Sequence, residues 1–105
     1  MTMLEIFITG ANQGIGYATV QQIIAGSSEE VRIYVGARSI TKATEAIEKI
    51  KSASAKVELI PIEIDVTKND TIEKAITQIP SLDVLVNNAG IYCEYSFASL
   101  PVNIC

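Results

Sequence analysis

The run Leu4-Glu5-Ile6-Phe7-Ile8, followed without a break by Thr9-Gly10-Ala11-Asn12-Gln13-Gly14-Ile15-Gly16, decides the fold. A short apolar segment that ends in glycine reads as a strand. Glycines at 10, 14 and 16 let the backbone turn sharply out of that strand, bring N–H groups against a pyrophosphate and start a helix packed close to the sheet. Such a helix points its positive end at the phosphates. Gly10, Asn12, Gln13, Gly14, Ile15 and Gly16 are therefore candidate ligand-side residues of a phosphate-binding turn.

Strand and helix signals alternate from there. A helix over about Gly14 to Ala25 is expected, with Ile15, Ala18 and the Gln22-Ile23 region returning at helical spacing and Gly26-Ser27-Ser28 ending it. Val31 to Val35 reads as a second strand. A second helix, about Thr41 to Ala53, carries Ile40, Ala43, Ile47 and Ile50 as one stripe. The third strand, Val57 to Ile64, alternates with Glu58 and Glu63, as an outermost strand does. Asp70-Thr71-Ile72-Glu73 fits a capping box for a third helix that turns Ile72, Ala75, Ile76 and Ile79 inward before Pro80 ends it. Alternation with connections this short forces a parallel sheet with right-handed crossovers.

The spacing G-x-x-x-G-x-G, with Thr9 before it and Ile15 inside it, resembles that of the short-chain dehydrogenase/reductase family. A second block carries the same resemblance. Asn87-Asn88-Ala89-Gly90 follows the apolar strand Leu82 to Val86, where that family has an N-N-A-G tetrapeptide at the end of its fourth strand. The likeness runs from Met3 to about Ile91. It implies an α/β fold, a truncated Rossmann-type doubly wound parallel sheet in βαβαβαβ order with strands arranged 3-2-1-4, over residues 1–91, and a divergent tail over 92–105. In that arrangement the cofactor crevice opens between strands one and four, where Asn87, Ala89 and Gly90 meet the glycine turn. Taken singly, a glycine turn can be merely structural, and Asn87 and Asn88 can be turn residues that tolerate left-handed backbone. The resemblance gives the asparagine segment both roles, bracing the sheet and lining the cofactor site.

The end of the second strand discriminates between cofactors. Folds selecting NAD place a carboxylate there for the ribose 2′-OH, whereas those selecting NADP offer an arginine to the 2′-phosphate. This chain reads Gly36-Ala37-Arg38-Ser39, with no Asp or Glu between Val31 and Thr44. A guanidinium suits a phosphate because its planar fork donates two charge-assisted hydrogen bonds. The expected cofactor is NADP rather than NAD, with Arg38 on the 2′-phosphate and Asn12 as an added donor; the duller reading of Arg38 is a solvated surface cation. Asp65-Val66 ends the third strand as a D-V pair. In the resembling family that pair sits beside the adenine, its carboxylate facing the exocyclic amine, although Asp65 also fits an ordinary loop acid.

In the same family a Ser and a Tyr-x-x-x-Lys pair, helped by a further Asn, perform the chemistry well downstream of N-N-A-G. Tyr92 and Tyr95 are followed four residues on by Ser96 and Ser99, and Tyr92 to Cys105 contains no lysine or arginine. A hydroxyl cannot replace the ammonium that lowers the tyrosine pKa and holds the cofactor ribose. No catalytic residue is assigned, and two readings stand. One is an NADP-dependent short-chain oxidoreductase acting on carbonyls or alcohols, present as a shortened chain inactive alone. The other is a non-catalytic NADP(H)-binding or regulatory module.

Composition excludes other classes. At 105 residues there is room for one core. A net charge of −4, with no basic stripe, argues against nucleic acid. Histidine is absent, which removes His-based metal sites and His triads. Cys93 and Cys105 form no C-x-x-C motif and read as free thiols in a reducing, cytoplasmic setting. Glu5 interrupts the apolar N-terminus and no basic residue precedes it, so this is a strand and not a signal peptide; no apolar run approaches the ~20 residues needed to span a bilayer. Leu82 to Val86 would be an apolar edge without a partner, which invites self-association.

Overall fold

The computed structural model describes residues 3–27, 29–50 and 56–88. Along them run β1 (Leu4–Ile8), α1 (Gly14–Gly26), β2 (Val31–Ala37), α2 (Ile40–Ile50), β3 (Val57–Glu63), α3 (Asn69–Gln78) and β4 (Val84–Val86). The strands form one parallel sheet in the order β3-β2-β1-β4, as the alternation and the resemblance imply. β2 extends two residues beyond the expected Val35, because Gly36 and Ala37 continue the pairing against Ile62 and Glu63. β3 lies at one edge, where Pro61 is tolerated because the outward side needs no ladder hydrogen bond.

Side-chain alternation divides the core between the two faces of the sheet. Ile6, Ile8, Val31, Ile33 and Val35 point to one face and pack with Val20 and Ile24 of α1 and Ile50 of α2. Phe7, Tyr34, Ile62 and Ile64 point to the other and meet Ala75 of α3, with Ile72 and Ile79 alongside. The rings of Phe7 and Tyr34 meet edge to face, 6.5 Å apart.

Three helical faces differ from the sequence reading. The buried row of α1 is Gly16, Val20 and Ile24, while Ile15 is 79% exposed and Ala18 faces solvent. Ile15 belongs to the first turn and faces away from the buried row, so its apolar character does not mark the core. In α2, Ala43, Ala46 and Ile50 are buried and Ile40, at the helix start, is largely exposed; its expected continuation to Ala53 lies outside the described residues. In α3, Ala75 is buried but Ile76 is 66% exposed. The capping box is also corrected. Lys68 occupies the N-cap position without a side-chain cap, and Asp70 lies inside the first turn, where its charge complements the helix dipole.

β4 is shorter than expected, Leu82 and Asp83 being outside it. It pairs with β1 alone among the described residues, and Leu82, Val84 and Leu85 are 39%, 42% and 53% exposed. Two bonds prolong its alignment with β1 all the same. Asp83 N–H donates to Glu5 O at 2.9 Å, and Glu5 N–H donates to Asp83 Oδ2 at 2.8 Å.

Glu5 itself centres a polar network at this end of the sheet. Its Oε1 accepts from Arg32 Nη1 at 2.9 Å and from the buried Tyr34 hydroxyl at 3.0 Å, and its Oε2 accepts from Ser81 Oγ. Arg32 Nε in turn donates to Glu58 Oε1 at 2.8 Å. The hydroxyls of Ser81 and Tyr34, with the Arg32 guanidinium, hold the Glu5 carboxyl below its ordinary pKa. Burial, then the bond to Glu5, pushes the Tyr34 phenol up. A nearly buried carboxylate is stable here because each oxygen has a donor.

Candidate functional site at the C-terminal edge of the sheet

Because the strands are parallel, the residues that follow β1, β2, β3 and β4 gather at one edge. Strand β1 leads into the glycine turn, where Gly10 and Gly14 both adopt φ of 61°, a left-handed conformation that glycine enters without a steric penalty. Gln13 occupies the N-cap position of α1 without a side-chain cap, and no acid lies in the first turn. The first N–H groups of a helix have no intrahelical partner, so this terminus presents uncompensated donors and the positive end of the dipole.

Gly16 explains the close approach of α1 to the turn. A Cβ built there would collide with the Gly10 carbonyl oxygen and lie 2.6 Å from Asn88 Nδ2 and 3.0 Å from Ala11 Cα. The turn is fastened on both sides. Ala11 N–H donates to Gly36 O of β2 at 2.8 Å. Toward β4, Thr9 N–H donates to Val86 O at 3.2 Å, Asn88 N–H to Thr9 Oγ1 at 3.0 Å, and Asn88 Nδ2 to Gly10 O at 3.1 Å. The two sequence blocks, 78 residues apart, therefore meet through Asn88.

Arg38 follows β2 immediately, is exposed, and makes no hydrogen bond or ion pair among the described residues. Ile64 N–H donates to Ala37 O at 2.8 Å, which sets the end of β3 beside it. Asp65 and Val66 come next, half-buried and exposed respectively. Asp65 Oδ1 accepts from Thr67 Oγ1 at 2.5 Å and from Thr67 N–H at 3.0 Å. Those bonds, with lesser help from the charges of Lys68 and Arg38, hold the Asp65 carboxyl below its ordinary pKa. Asp65 Oδ2 has no partner among the described residues. Asn12 is half-buried within the turn, Gln13, Gly14 and Ile15 are exposed, and Asn87 is exposed just past β4. Ala89 and Gly90 lie outside the described residues, as does the tail over 92–105.

Asn88, which the resemblance placed in a segment that braces the sheet and lines the site without giving it a contact of its own, is the fastener. It also missed Thr71, whose hydroxyl bonds back to Asp65. The N-N-A-G block contained the first signal; nothing local revealed the second. The donor set fits a dinucleotide: backbone amides for a pyrophosphate, an unpaired guanidinium for a further phosphate, and a carboxylate oxygen for an amine. Among the described residues no group of His, Cys, Asp and Glu is placed to hold a metal ion, and no helix is long and apolar enough to cross a membrane.

An open parallel sheet with helices on both faces and a glycine turn at its switch point defines a Rossmann-type α/β protein. The model of the short chain dehydrogenase family matches residues 5–103, and the chain belongs to that family. A short-chain dehydrogenase of Penicillium roqueforti is 42% identical over 90 residues, which are 82% of this chain and 34% of that protein. A 3-dehydrosphinganine reductase of Arabidopsis thaliana is 36% identical over 88 residues, covering 84% of this chain and 25% of the relative. Among solved structures, a 3-oxoacyl-(acyl-carrier protein) reductase from Brucella melitensis is similar with a TM-score of 0.73 at 27% identity, covering 88% of this chain and 33% of that one. The chain thus spans about a third or less of the length of these relatives.

Proposed function

We propose that the C-terminal edge of the sheet binds NADP(H), as the cofactor-binding part of a short-chain oxidoreductase that moves hydride between nicotinamide and a carbonyl or alcohol. The end of β2 carries this reading: Arg38 is exposed and unpaired, and no carboxylate occurs on the segment that would meet a ribose 2′-OH. The amides of Gly14, Ile15 and Gly16 at the start of α1 hold the pyrophosphate, Gly10 and Gln13 shape the turn, and Arg38, with Asn12, takes the 2′-phosphate. Asp65 accepts from the adenine amine while Val66 lies along the base, and Asn87, Ala89 and Gly90 wall the crevice beside β4. The nicotinamide, when bound, would supply or accept the hydride, and the residues named would hold the adenine and phosphate part of the cofactor.

Titration of the protein with NADP and NAD tests the assignment. NADP is expected to bind more tightly, and Arg38→Ala to remove most of that preference. A charge-assisted contact contributes on the order of 1.5–3 kcal/mol, so the loss is about tenfold or more. Equal affinities for the two nucleotides in the unmodified protein would overturn it.

A second reading is a non-catalytic NADP(H)-binding module; the 105 residues contain no Tyr-x-x-x-Lys, which either reading accommodates. Both readings expect this chain alone to show no NADPH-dependent carbonyl reduction. Turnover that scales with protein and disappears in Tyr92→Phe or Tyr95→Phe would refute that expectation. A longer form of the chain carrying the missing pair would favour the oxidoreductase.

A further inference from the structure

Asp65 is held from three sides. Its carboxylate Oδ1 is occupied by Thr67. Its carbonyl oxygen accepts from Lys68 N–H at 2.8 Å, closing a turn over Val66 and Thr67. The remaining contacts come from α3. Thr71 Oγ1 accepts from Asp65 N–H at 2.9 Å, and its single proton is shared between Asp65 O and Lys68 O, each at 2.8 Å. One hydroxyl thereby bonds both backbone groups of the acid and ties the turn between the end of β3 and the start of α3 to the helix.

We infer that Thr71 is the positioning residue of the adenine end of the site: its hydroxyl clamps the Asp65 backbone so that Oδ1 is spent on Thr67 and Oδ2 is left to accept from the exocyclic amine of a purine. The inference rests on the reading of Asp65 as the adenine acceptor proposed above. A helix-capping role alone does not account for the geometry, because the hydroxyl reaches back six residues to the donor and acceptor of Asp65 as well as to Lys68. Without the clamp, Asp65 keeps only its bonds to Thr67 and to Lys68 N–H and is less restrained, and an acceptor that must first be ordered loses the advantage of preorganisation.

The test uses NADP and its hypoxanthine counterpart, which lacks the amine, titrated against the unmodified protein, Thr71→Val and Thr71→Ser. The unmodified protein is expected to prefer the adenine form by about tenfold, the worth of one hydrogen bond to a charged acceptor. Thr71→Val should abolish that preference while the Arg38-dependent preference for NADP over NAD persists, and Thr71→Ser should restore it. In the nucleotide-free protein, exchange of the Asp65 amide hydrogen should accelerate about tenfold in Thr71→Val and remain slow in Thr71→Ser; Thr71→Ala serves equally if the valine variant does not fold. A base preference that survives Thr71→Val, or an Asp65 amide equally protected in it, overturns the positioning role alone. An unmodified protein that binds NADP but does not distinguish the two bases overturns the adenine role of Asp65, and the inference with it.

Discussion

One substitution, glycine to alanine, should have opposite effects at two ends of α1. At Gly26 an added Cβ meets nothing within 4 Å and the backbone lies in the ordinary negative-φ region. There alanine should stabilise by about 0.4–1 kcal/mol, because it restricts the unfolded chain. At Gly16 the Cβ would strike the Gly10 carbonyl oxygen and lie 2.6 Å from Asn88 Nδ2. Alanine's helix preference returns about 1 kcal/mol. Against it stand roughly 1–3 kcal/mol for forcing backbone apart and about 1 kcal/mol for displacing the Asn88 bond to Gly10. The net expectation is a loss near 2 kcal/mol. Gly14 is a third case: the space is open, but its φ of 61° makes alanine cost about 1–2 kcal/mol. Equilibrium urea unfolding reads all three as shifts of the midpoint at constant slope. A Gly16→Ala protein as stable as the unmodified one, or a Gly26→Ala protein destabilised as much as Gly16→Ala, would refute the packing argument.

Acid should weaken the fold through Glu5 and Asp65. Both carboxyls are held below their ordinary values of 4.5 and 3.8, so their contribution is full above those values and disappears as pH falls through the lower folded ones. Glu5→Gln should therefore flatten the acid limb of a urea-midpoint profile, and superimposable limbs in the two proteins would count against it. At β4, the exposure of Leu82, Val84 and Leu85 predicts concentration-dependent sedimentation that Leu85→Lys reduces. A monomer unfolding at one temperature whatever its concentration would contradict this.

Strand order was legible because each apolar run is followed by a turn signal, and parallel pairing brings those turns to one edge. The helical faces were less so. A hydrophobic period cannot register Gly16, which packs closely because it has no side chain, and it overcounts Ile15, which is apolar but exposed. Thr71 looked like part of a capping box because that motif is local, whereas its hydroxyl is engaged with the end of β3. Glu5 read only as an interruption of an apolar run. Its partners come from β2 and from the residues just before β4, and nothing in its neighbours announces them.

That carboxylate also bears on how the chain closes. β1 is made first yet lies between β2 and β4, so it must wait for both; Glu5 meets Arg32 across 27 residues and Asp83 across 78. Closure entropy grows only with the logarithm of the span, and the longer ring costs about 1 kcal/mol more than the shorter. A hydrogen bond to a charged group contributes about 1.5–3 kcal/mol, enough to offset that difference. The Ser81 and Asp83 bonds to Glu5 thus act as the latch on the joint between β1 and β4, and they hold the end of the sheet farthest from its C-terminal edge.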